Sequence, residues 1–254
     1  IAAAAGKTDM AIGNAVGSVT ANTALIMAIA MIAMPIVCER KRYLKQISLL
    51  IASALVLFLS CRTGELNPIG SLILTVIFIL FIVQNLFSAK TDSHNQSGQA
   101  AVDKKKLFIN IVLFIIGAAA IVLGSQLMVD HGSKIAVWLG VPERIIAITL
   151  IAVGTSLPEL VTTISAIVKK EAALSVGNII GANIIDLSLI LPLCAVVSGE
   201  TLPVTAGSIA VDLPVCLGVT LIATVPLIFR QKASKLQGVL LLAFYALYMI
   251  MTVL

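Results

Sequence analysis

Long apolar segments joined by short polar connections are the feature that most constrains how this chain can fold. About 20 consecutive apolar residues are enough for a helix to cross a bilayer. The strict apolar–polar alternation of strands is absent. Only 11% of the residues are charged, whereas about a quarter are charged in a soluble domain. The pattern predicts an all-α polytopic membrane protein and argues against a soluble enzyme. Eight spans are predicted, over residues 11–37, 47–61, 70–88, 107–129, 145–168, 173–197, 205–229 and 236–254.

The basic residues are distributed unevenly between the two sides of these spans. Thirteen of the 17 Lys and Arg residues fall in the odd-numbered connections. Because basic residues concentrate in cytoplasmic loops, we expect a multi-pass protein of the plasma (inner) membrane with both termini outside. The net charge of +5 is then explained by these loops, so the expected surroundings are a lipid bilayer and we predict no nucleic-acid partner.

One connection is longer and more polar than the others. Residues 89–106 read AKTDSHNQSGQAAVDKKK, a composition typical of a solvated linker. By the charge distribution this linker is cytoplasmic. It divides the chain into a first part, 1–88, with three spans, and a second part, 107–254, with five.

The two parts contain an internal repeat. Gly13 to Gly17 (GNAVG) matches Gly177 to Gly181 (GNIIG) at an offset of 164 residues, and the same offset superimposes the two following spans of each part. A repeat of five spans inserts the opposite way round from its copy, which is the inverted arrangement of secondary transporters. The offset leaves about 57 residues of the first repeat without a counterpart. We therefore expect inverted five-helix repeats with eight of ten transmembrane helices present, from an N-terminally truncated chain.

Only two acidic residues, Glu159 and Asp186, are expected at depth in the predicted spans. An ionised carboxylate near the bilayer centre costs roughly 2.5–3.5 kcal/mol even on the lenient insertion scale. With no Lys or Arg at the same depth in the sequence, a cation from solution is the expected partner. The alternative is that each carboxyl group is protonated and hydrogen-bonded inside the bundle.

Glu159 ends the segment Gly154-Thr155-Ser156-Leu157-Pro158-Glu159. Because Pro158 has no N–H, the carbonyl of Gly154 loses its helical partner and the helix kinks. Thr155 and Ser156 precede Glu159 by one helical turn and share its face. A carboxylate, two hydroxyls and a free carbonyl are ligands that hard cations such as Ca²⁺ and Na⁺ prefer. The alternative is a simple proline kink whose hydroxyls bond to their own helix.

The next span and its copy in the first part add further polar groups. Asn183 and Asp186 share a helix face, and Ser18 and Asn22 occupy the corresponding segment of the first part, with Asn22 matching Asp186 at the offset of 164. An isolated Asn in a span usually bonds to a neighbouring helix. Its register with Asp186 favours a role as a ligand.

These residues resemble a known family. GTSLPELVTTISA followed by GNIIGANIIDLSLIL resembles the second α-repeat of the sodium/calcium exchangers of the cation/calcium antiporter superfamily, most closely the ten-span bacterial and archaeal type. GKTDMAIGNAVGSVTANTALI resembles the latter part of the first α-repeat. By this resemblance residues 145–197 would contain a complete second α-repeat.

The resemblance implies a secondary active transporter, not an enzyme, that exchanges Ca²⁺ for Na⁺ by alternating access at the midplane between the α-repeats. No cofactor is implied, since the ions are the substrates, and competition for one set of oxygens would couple their movement. Glu159 would be shared between the two ions. The implied ligands are Thr155 and Glu159 for Ca²⁺ and Ser156, Asp186, Asn22 and Ser18 mainly for Na⁺, assisted by the Ala152 carbonyl.

The chain departs from the family pattern at three points. The GTSxPE segment of the first repeat is absent, Ala182 stands where Ser is usual, and Val19 replaces an Asn. Two alternatives therefore remain open. One is a cation/proton exchanger, although Gly17 and Gly181 stand where such proteins carry a carboxylate. The other is a degenerate membrane protein that transports nothing.

Because the absent first-repeat segment would supply half of the Ca²⁺ site, we expect the 254 residues alone to show no Na⁺-driven uptake of ⁴⁵Ca²⁺ in reconstituted vesicles. The control is the same lipid vesicle without protein. Robust uptake driven by a Na⁺ gradient would contradict this expectation.

Overall fold

The computed structural model describes residues 9–37, 40–95, 104–140 and 152–253. Within these ranges the chain is a multi-pass bundle of apolar helices, as the sequence predicts. The α-helices are α1 (Asp9–Ala21), α2 (Ala28–Ala33), α3 (Arg40–Ser60), α4 (Pro68–Asn95), α5 (Lys104–Trp138), α6 (Ala152–Thr155), α7 (Leu157–Lys169), α8 (Ala172–Ile185), α9 (Leu191–Ser198), α10 (Leu213–Arg230) and α11 (Lys235–Val253).

The described part of the chain also contains three wider π-helical segments, and a short 3₁₀ turn, Cys61–Thr63, follows α3. The segments π1 (Asn22–Met27) and π2 (Asp186–Ile190) join α1 to α2 and α8 to α9, and π3 (Ser208–Asp212) leads into α10. Single π turns inside α-helices are frequent at functional sites. Asn22 and Asp186, which begin π1 and π2, are 164 residues apart, so the offset of the sequence repeat recurs in the backbone.

In the described ranges, four two-residue strands form two antiparallel pairs at the helix connections. Strand β1 (Ile36–Val37) pairs with β4 (Lys232–Ala233), and β2 (Glu65–Leu66) pairs with β3 (Leu202–Pro203). Each pair joins a connection of the first part of the chain to a connection of the second part. The backbone pairing therefore ties the two parts together outside the helical bundle.

Seven helical segments of the described residues are long and apolar enough to cross a membrane, and they correspond to seven of the eight predicted spans. The eighth, 145–168, falls partly on residues 141–151, which lie outside the described residues; its described part forms α6 and α7. The seven segments are Ala11–Ala33, Tyr43–Thr63, Pro68–Ser88, Leu107–Trp138, Leu174–Ser198, Ser208–Arg230 and Lys235–Thr252.

Two helices are longer than the spans predicted from the sequence. Helix α5 continues to Trp138, past the predicted end of its span at residue 129. Helix α4 continues to Asn95, into the linker predicted over residues 89–106, of which 96–103 lie outside the described residues. Hydropathy marks only the apolar part of a helix, whereas its backbone hydrogen bonds continue through polar residues.

The last helix of each part packs against the interrupted helix of the other part. Helix α11 packs on α2 and π1, and α4 packs on π2 and α9. At Gly238 of α11 an added Cβ would lie 2.8 Å from the carbonyl oxygen of Ala28, so only glycine permits this close approach. The buried core includes Ile12, Val16, Ile26, Met27 and Ile180.

A glutamine of α11 compensates for a proline in α10. Pro226 lies inside α10, and because it has no N–H the carbonyl of Ile222, four residues earlier, has no helical donor. The Nε2 atom of Gln237 donates to the carbonyl oxygens of Ile222 at 2.8 Å and Ala223 at 2.9 Å. Within a bilayer such backbone groups have to be paired by other protein groups. Gln237 therefore holds the last two helices together.

Replacing Gln237 by Leu is expected to destabilise the folded chain by ~1–3 kcal/mol, because the carbonyl of Ile222 is left unpaired. In a Pro226→Ala background, position 226 regains its N–H and the same replacement should cost less by about 1 kcal/mol. Thermal unfolding of the four detergent-solubilised variants measures this coupling. Equal costs in the two backgrounds would show that Gln237 does not compensate for the proline.

Candidate ion-binding site

The helix that carries Glu159 is interrupted at Ser156. Helix α6 ends at Thr155, Ser156 has φ −93° and ψ 2°, and α7 starts at Leu157 with Pro158 in its first turn. Proline fits this position because the first N–H groups of a helix have no intrahelical acceptor. The kink predicted from the sequence is therefore a complete break. Glu159 lies in the first turn of α7, where the positive end of the helix dipole favours a carboxylate.

Three of the predicted ligand residues meet in one hydrogen-bonded chain. The Ser18 hydroxyl donates to Oδ2 of Asp186 at 3.0 Å, and the Oγ atoms of Ser18 and Ser156 are 3.4 Å apart. A hydroxyl has a single proton, and that of Ser18 is directed at Asp186, so Ser156 is the donor to Ser18. The three residues lie on α1, at the α6–α7 break and at the start of π2, which brings the two parts of the chain together at this point.

Glu159 follows Ser156 by three residues, in the first turn of α7. Its carboxylate is within electrostatic range of Asp186. Its Oε2 atom is buried and has no hydrogen-bond partner within the described part of the chain. A buried acceptor without a donor is costly, and two neighbouring carboxylates repel each other when both are ionised. A bound cation removes both costs at once.

Asn22 supplies a second unpaired oxygen. Its side chain is fully buried, its Nδ2 donates to Oδ1 of Asn183 at 3.0 Å, and Nδ2 of Asn183 donates to Oγ1 of Thr23 at 2.8 Å. The Oδ1 atom of Asn22 is buried and accepts no hydrogen bond from any described residue. The segment π1, which Asn22 begins, packs against α7, the helix of Glu159.

The resulting cluster consists of oxygen atoms on a mostly buried surface. Hydrogen bonds connect Ser18, Ser156 and Asp186, and the candidate site adds the unpaired oxygens of Glu159, three residues after Ser156, and of Asn22, four residues after Ser18. Such oxygens suit hard cations rather than transition metals. Among the described residues no group of three or more His, Cys, Asp or Glu side chains forms a metal centre.

The other two predicted ligands are Thr155 and Ala152, and their contact with an ion stays a prediction. Thr155 is exposed, whereas its neighbour Ser156 is buried. Ala152 is the first residue of α6.

The sequence does not identify Thr23 as part of this hydrogen-bonded group, although Thr23 follows Asn22 directly. Asn183 was noted for its helix face, but its pairing with Asn22 and Thr23, about 160 residues away, has no signal in a single sequence.

The expectation of only two acidic residues at depth was wrong. Asp212 lies inside the predicted span 205–229 and inside the observed segment Ser208–Arg230. Its carboxylate accepts hydrogen bonds from the hydroxyls of Ser208 at 2.8 Å and Tyr248 at 2.9 Å. Both of its oxygens are therefore paired, and the hydrogen bond to Tyr248 joins π3 to α11.

The chain is similar to known proteins over most of its length. The family model described as "Sodium/calcium exchanger protein" matches residues 1–87 and 109–254. An uncharacterised membrane protein of Methanocaldococcus jannaschii is 31% identical over 93% of this chain and 74% of its own length. The inner membrane protein YrbG of Escherichia coli is 30% identical over 92% of this chain and 73% of its own length. The sodium/calcium exchanger MaX1 of Methanosarcina acetivorans is 34% identical, over 56% of this chain and 40% of its own length.

A similar fold is found among solved structures. The sodium-calcium exchanger NCX_Mj, soaked with Na⁺ and Sr²⁺, matches 97% of this chain and 78% of its own chain with a TM-score of 0.75 and 27% sequence identity. The fold and the family model thus agree over nearly all of the sequence. The chain belongs to the sodium/calcium exchanger protein family.

Proposed function

We propose that this chain forms part of a secondary active transporter that exchanges Ca²⁺ for Na⁺ by alternating access. The observation that carries the proposal is a pair of buried oxygens, Oε2 of Glu159 and Oδ1 of Asn22, to which no described residue donates a hydrogen bond. They accompany the hydrogen-bonded residues Ser18, Ser156 and Asp186. A cation is the natural partner for such buried acceptors. The family and the ion-soaked structural relative support Ca²⁺ and Na⁺ as the substrates.

Coupling follows from the shared ligands. The two carboxylates of Glu159 and Asp186 together carry two negative charges, which one Ca²⁺ or two Na⁺ ions balance. Because the same oxygens serve both ions, the site holds one kind at a time and each crosses in turn. Thr155 and the carbonyl of Ala152 are proposed as additional ligands of the ion-bound state.

The broken helices support alternating access. Interrupted helices at mid-depth are where secondary transporters bind their ions, and one repeat rocks against the other around such a site. Here the break at Ser156 and the starts of π1 and π2 at Asn22 and Asp186 all lie at the cluster. We place the chain in the plasma membrane with both termini outside and the linker 89–106 in the cytoplasm.

Replacing Glu159 by Gln should weaken Ca²⁺ binding at least tenfold, a change of about 1.4 kcal/mol or more. The reason is that the substitution removes one charge and an oxygen with no other partner. Because a ligand that binds the folded state raises its melting temperature, the readout is the Ca²⁺-dependent melting shift of the purified chain in detergent. The exposed Glu200→Gln is the matched control and should retain the full shift.

Competition experiments separate the proposed coupling ion from its alternatives. Na⁺ should reduce the Ca²⁺-dependent shift of the unaltered chain at constant pH and ionic strength. A shift that resists Na⁺ and is lost on acidification would favour the cation/proton exchanger. A chain that responds to neither Ca²⁺ nor Na⁺, or whose Glu159→Gln variant keeps the full Ca²⁺ shift, would contradict the proposed site.

Replacing Ala182 by Ser should strengthen Na⁺ binding by about threefold to tenfold, the effect of one added oxygen ligand of about 1 kcal/mol. Position 182 follows Ser18 by 164 residues, and the hydroxyl of Ser18 contacts Asp186. Because Asn22 corresponds to Asp186 in the repeat, a hydroxyl at position 182 is expected to lie beside Asn22. The measurement is a Na⁺ titration of the melting temperature. Ala182→Cys, of similar size but with a soft sulfur atom, should not strengthen binding, and equal effects of Ser and Cys would contradict the prediction.

A further inference from the structure

The amide of Asn22 can bind a cation in only one of its two orientations. Its oxygen is a ligand, whereas its NH₂ group is a donor that repels a cation. The two orientations occupy nearly the same space, so packing alone does not choose between them. A fully buried asparagine that serves as an ion ligand therefore needs a hydrogen-bonding neighbour that fixes its orientation.

We propose that Asn183 and Thr23 are positioning residues that keep the amide oxygen of Asn22 directed at the ion; this rests on the proposed function. Oγ1 of Thr23 accepts a hydrogen bond from Nδ2 of Asn183 at 2.8 Å. That contact leaves Oδ1 of Asn183 facing Asn22. Only the NH₂ group of Asn22 can bond to it, which it does at 3.0 Å, so the Asn22 oxygen is left unpaired and directed elsewhere.

The backbone of π1 makes this arrangement possible. Asn22 and Thr23 are consecutive, yet both side chains are buried and both contact Asn183. A π turn contains more residues than an α turn, so successive side chains diverge less in direction. The wide turn thus lets one asparagine of α8 bond to two neighbouring residues of the first part of the chain.

The same requirement explains an asymmetry between the two repeats. At the offset of 164, Asn22 corresponds to Asp186, and Val19 corresponds to Asn183. A carboxylate presents an oxygen whichever way it is turned, so Asp186 needs no orienting amide and an apolar residue suffices at 19. Asn183, in the second repeat, faces Asn22 of the first repeat and carries an amide. Its counterpart Val19, in the first repeat, corresponds to a position facing Asp186 and carries no amide.

The test is a Na⁺ titration of the melting temperature of the purified 254-residue chain, with choline chloride to hold the ionic strength. Thr23→Val removes the acceptor without changing the shape of the side chain. Buried N–H groups are left unpaired less readily than carbonyls. Without the acceptor, the Asn183 amide therefore rotates so that its NH₂ group faces Asn22. Asn22 then turns its own oxygen toward Asn183, and the orientation that binds the ion becomes the minor one. The apparent Na⁺ affinity should then fall about fivefold, in proportion to the population lost.

Three further variants serve as controls for the Thr23→Val experiment. Thr23→Ser keeps the acceptor and should bind Na⁺ like the unaltered chain. Thr20→Val is the matched control, since Thr20 is a buried threonine of α1 whose hydroxyl bonds its own backbone carbonyl at Val16, and it should also leave Na⁺ affinity unchanged. In an Asn22→Asp background, Thr23→Val should change the affinity by less than about twofold, because a carboxylate needs no orientation.

The outcomes are distinguishable from failure of the proposed function. If the unaltered chain shows no Na⁺-specific shift, the proposed site fails. If it does, and Thr23→Val binds Na⁺ as tightly as Thr23→Ser, the positioning role is overturned. A loss for Thr23→Val that is as large in the Asn22→Asp background as in the unaltered chain also overturns it, because the effect would then be structural. Should Thr23→Val fail to fold, Asn183→Ala takes its place with the same expected loss.

Discussion

The site depends on helices that stop being regular at the residues that supply its oxygens. An unbroken α-helix within a bilayer pairs all its backbone groups, and irregular backbone is tolerated there only where protein or a water-filled cavity surrounds it. This chain deviates at Ser156, Asn22 and Asp186, and each deviation lies in the packed interior between the two parts. The packing of α11 on π1 and of α4 on π2 encloses these deviations, so the fold is arranged around the irregular segments.

The acidic residues within the spans differ in whether their carboxylate oxygens accept hydrogen bonds. Both carboxylate oxygens of Asp212 accept hydrogen bonds from hydroxyl groups, so both are paired without an ion, and the bond to Tyr248 joins π3 to α11. Glu159 has an oxygen with no donor among the described residues. A carboxylate in a membrane is therefore not in itself a sign of an ion site. An unpaired oxygen beside a second carboxylate is a more specific sign.

The sequence predicts the spans because apolar length alone decides whether a helix can cross a bilayer. It also predicts the break at Pro158 and the register of Asn22 with Asp186, since both are local or periodic features. It does not predict that Asn183 bonds to Asn22 and Thr23, or that Gln237 bonds to the carbonyls beside Pro226. Those contacts depend on how helices distant in sequence are rotated against each other, which periodicity within one helix leaves open.

The hydrogen bonds at the cluster all cross between the two parts of the chain. Ser18 contacts Ser156 and Asp186, and Asn183 contacts Asn22 and Thr23. Under alternating access one part moves against the other, so these contacts are the ones that the movement strains or breaks. In the proposed exchanger, a cation that draws oxygens from both parts would hold them in register and offset the repulsion between the carboxylates of Glu159 and Asp186. Ion binding and the relative position of the two parts would then be coupled through the same few atoms.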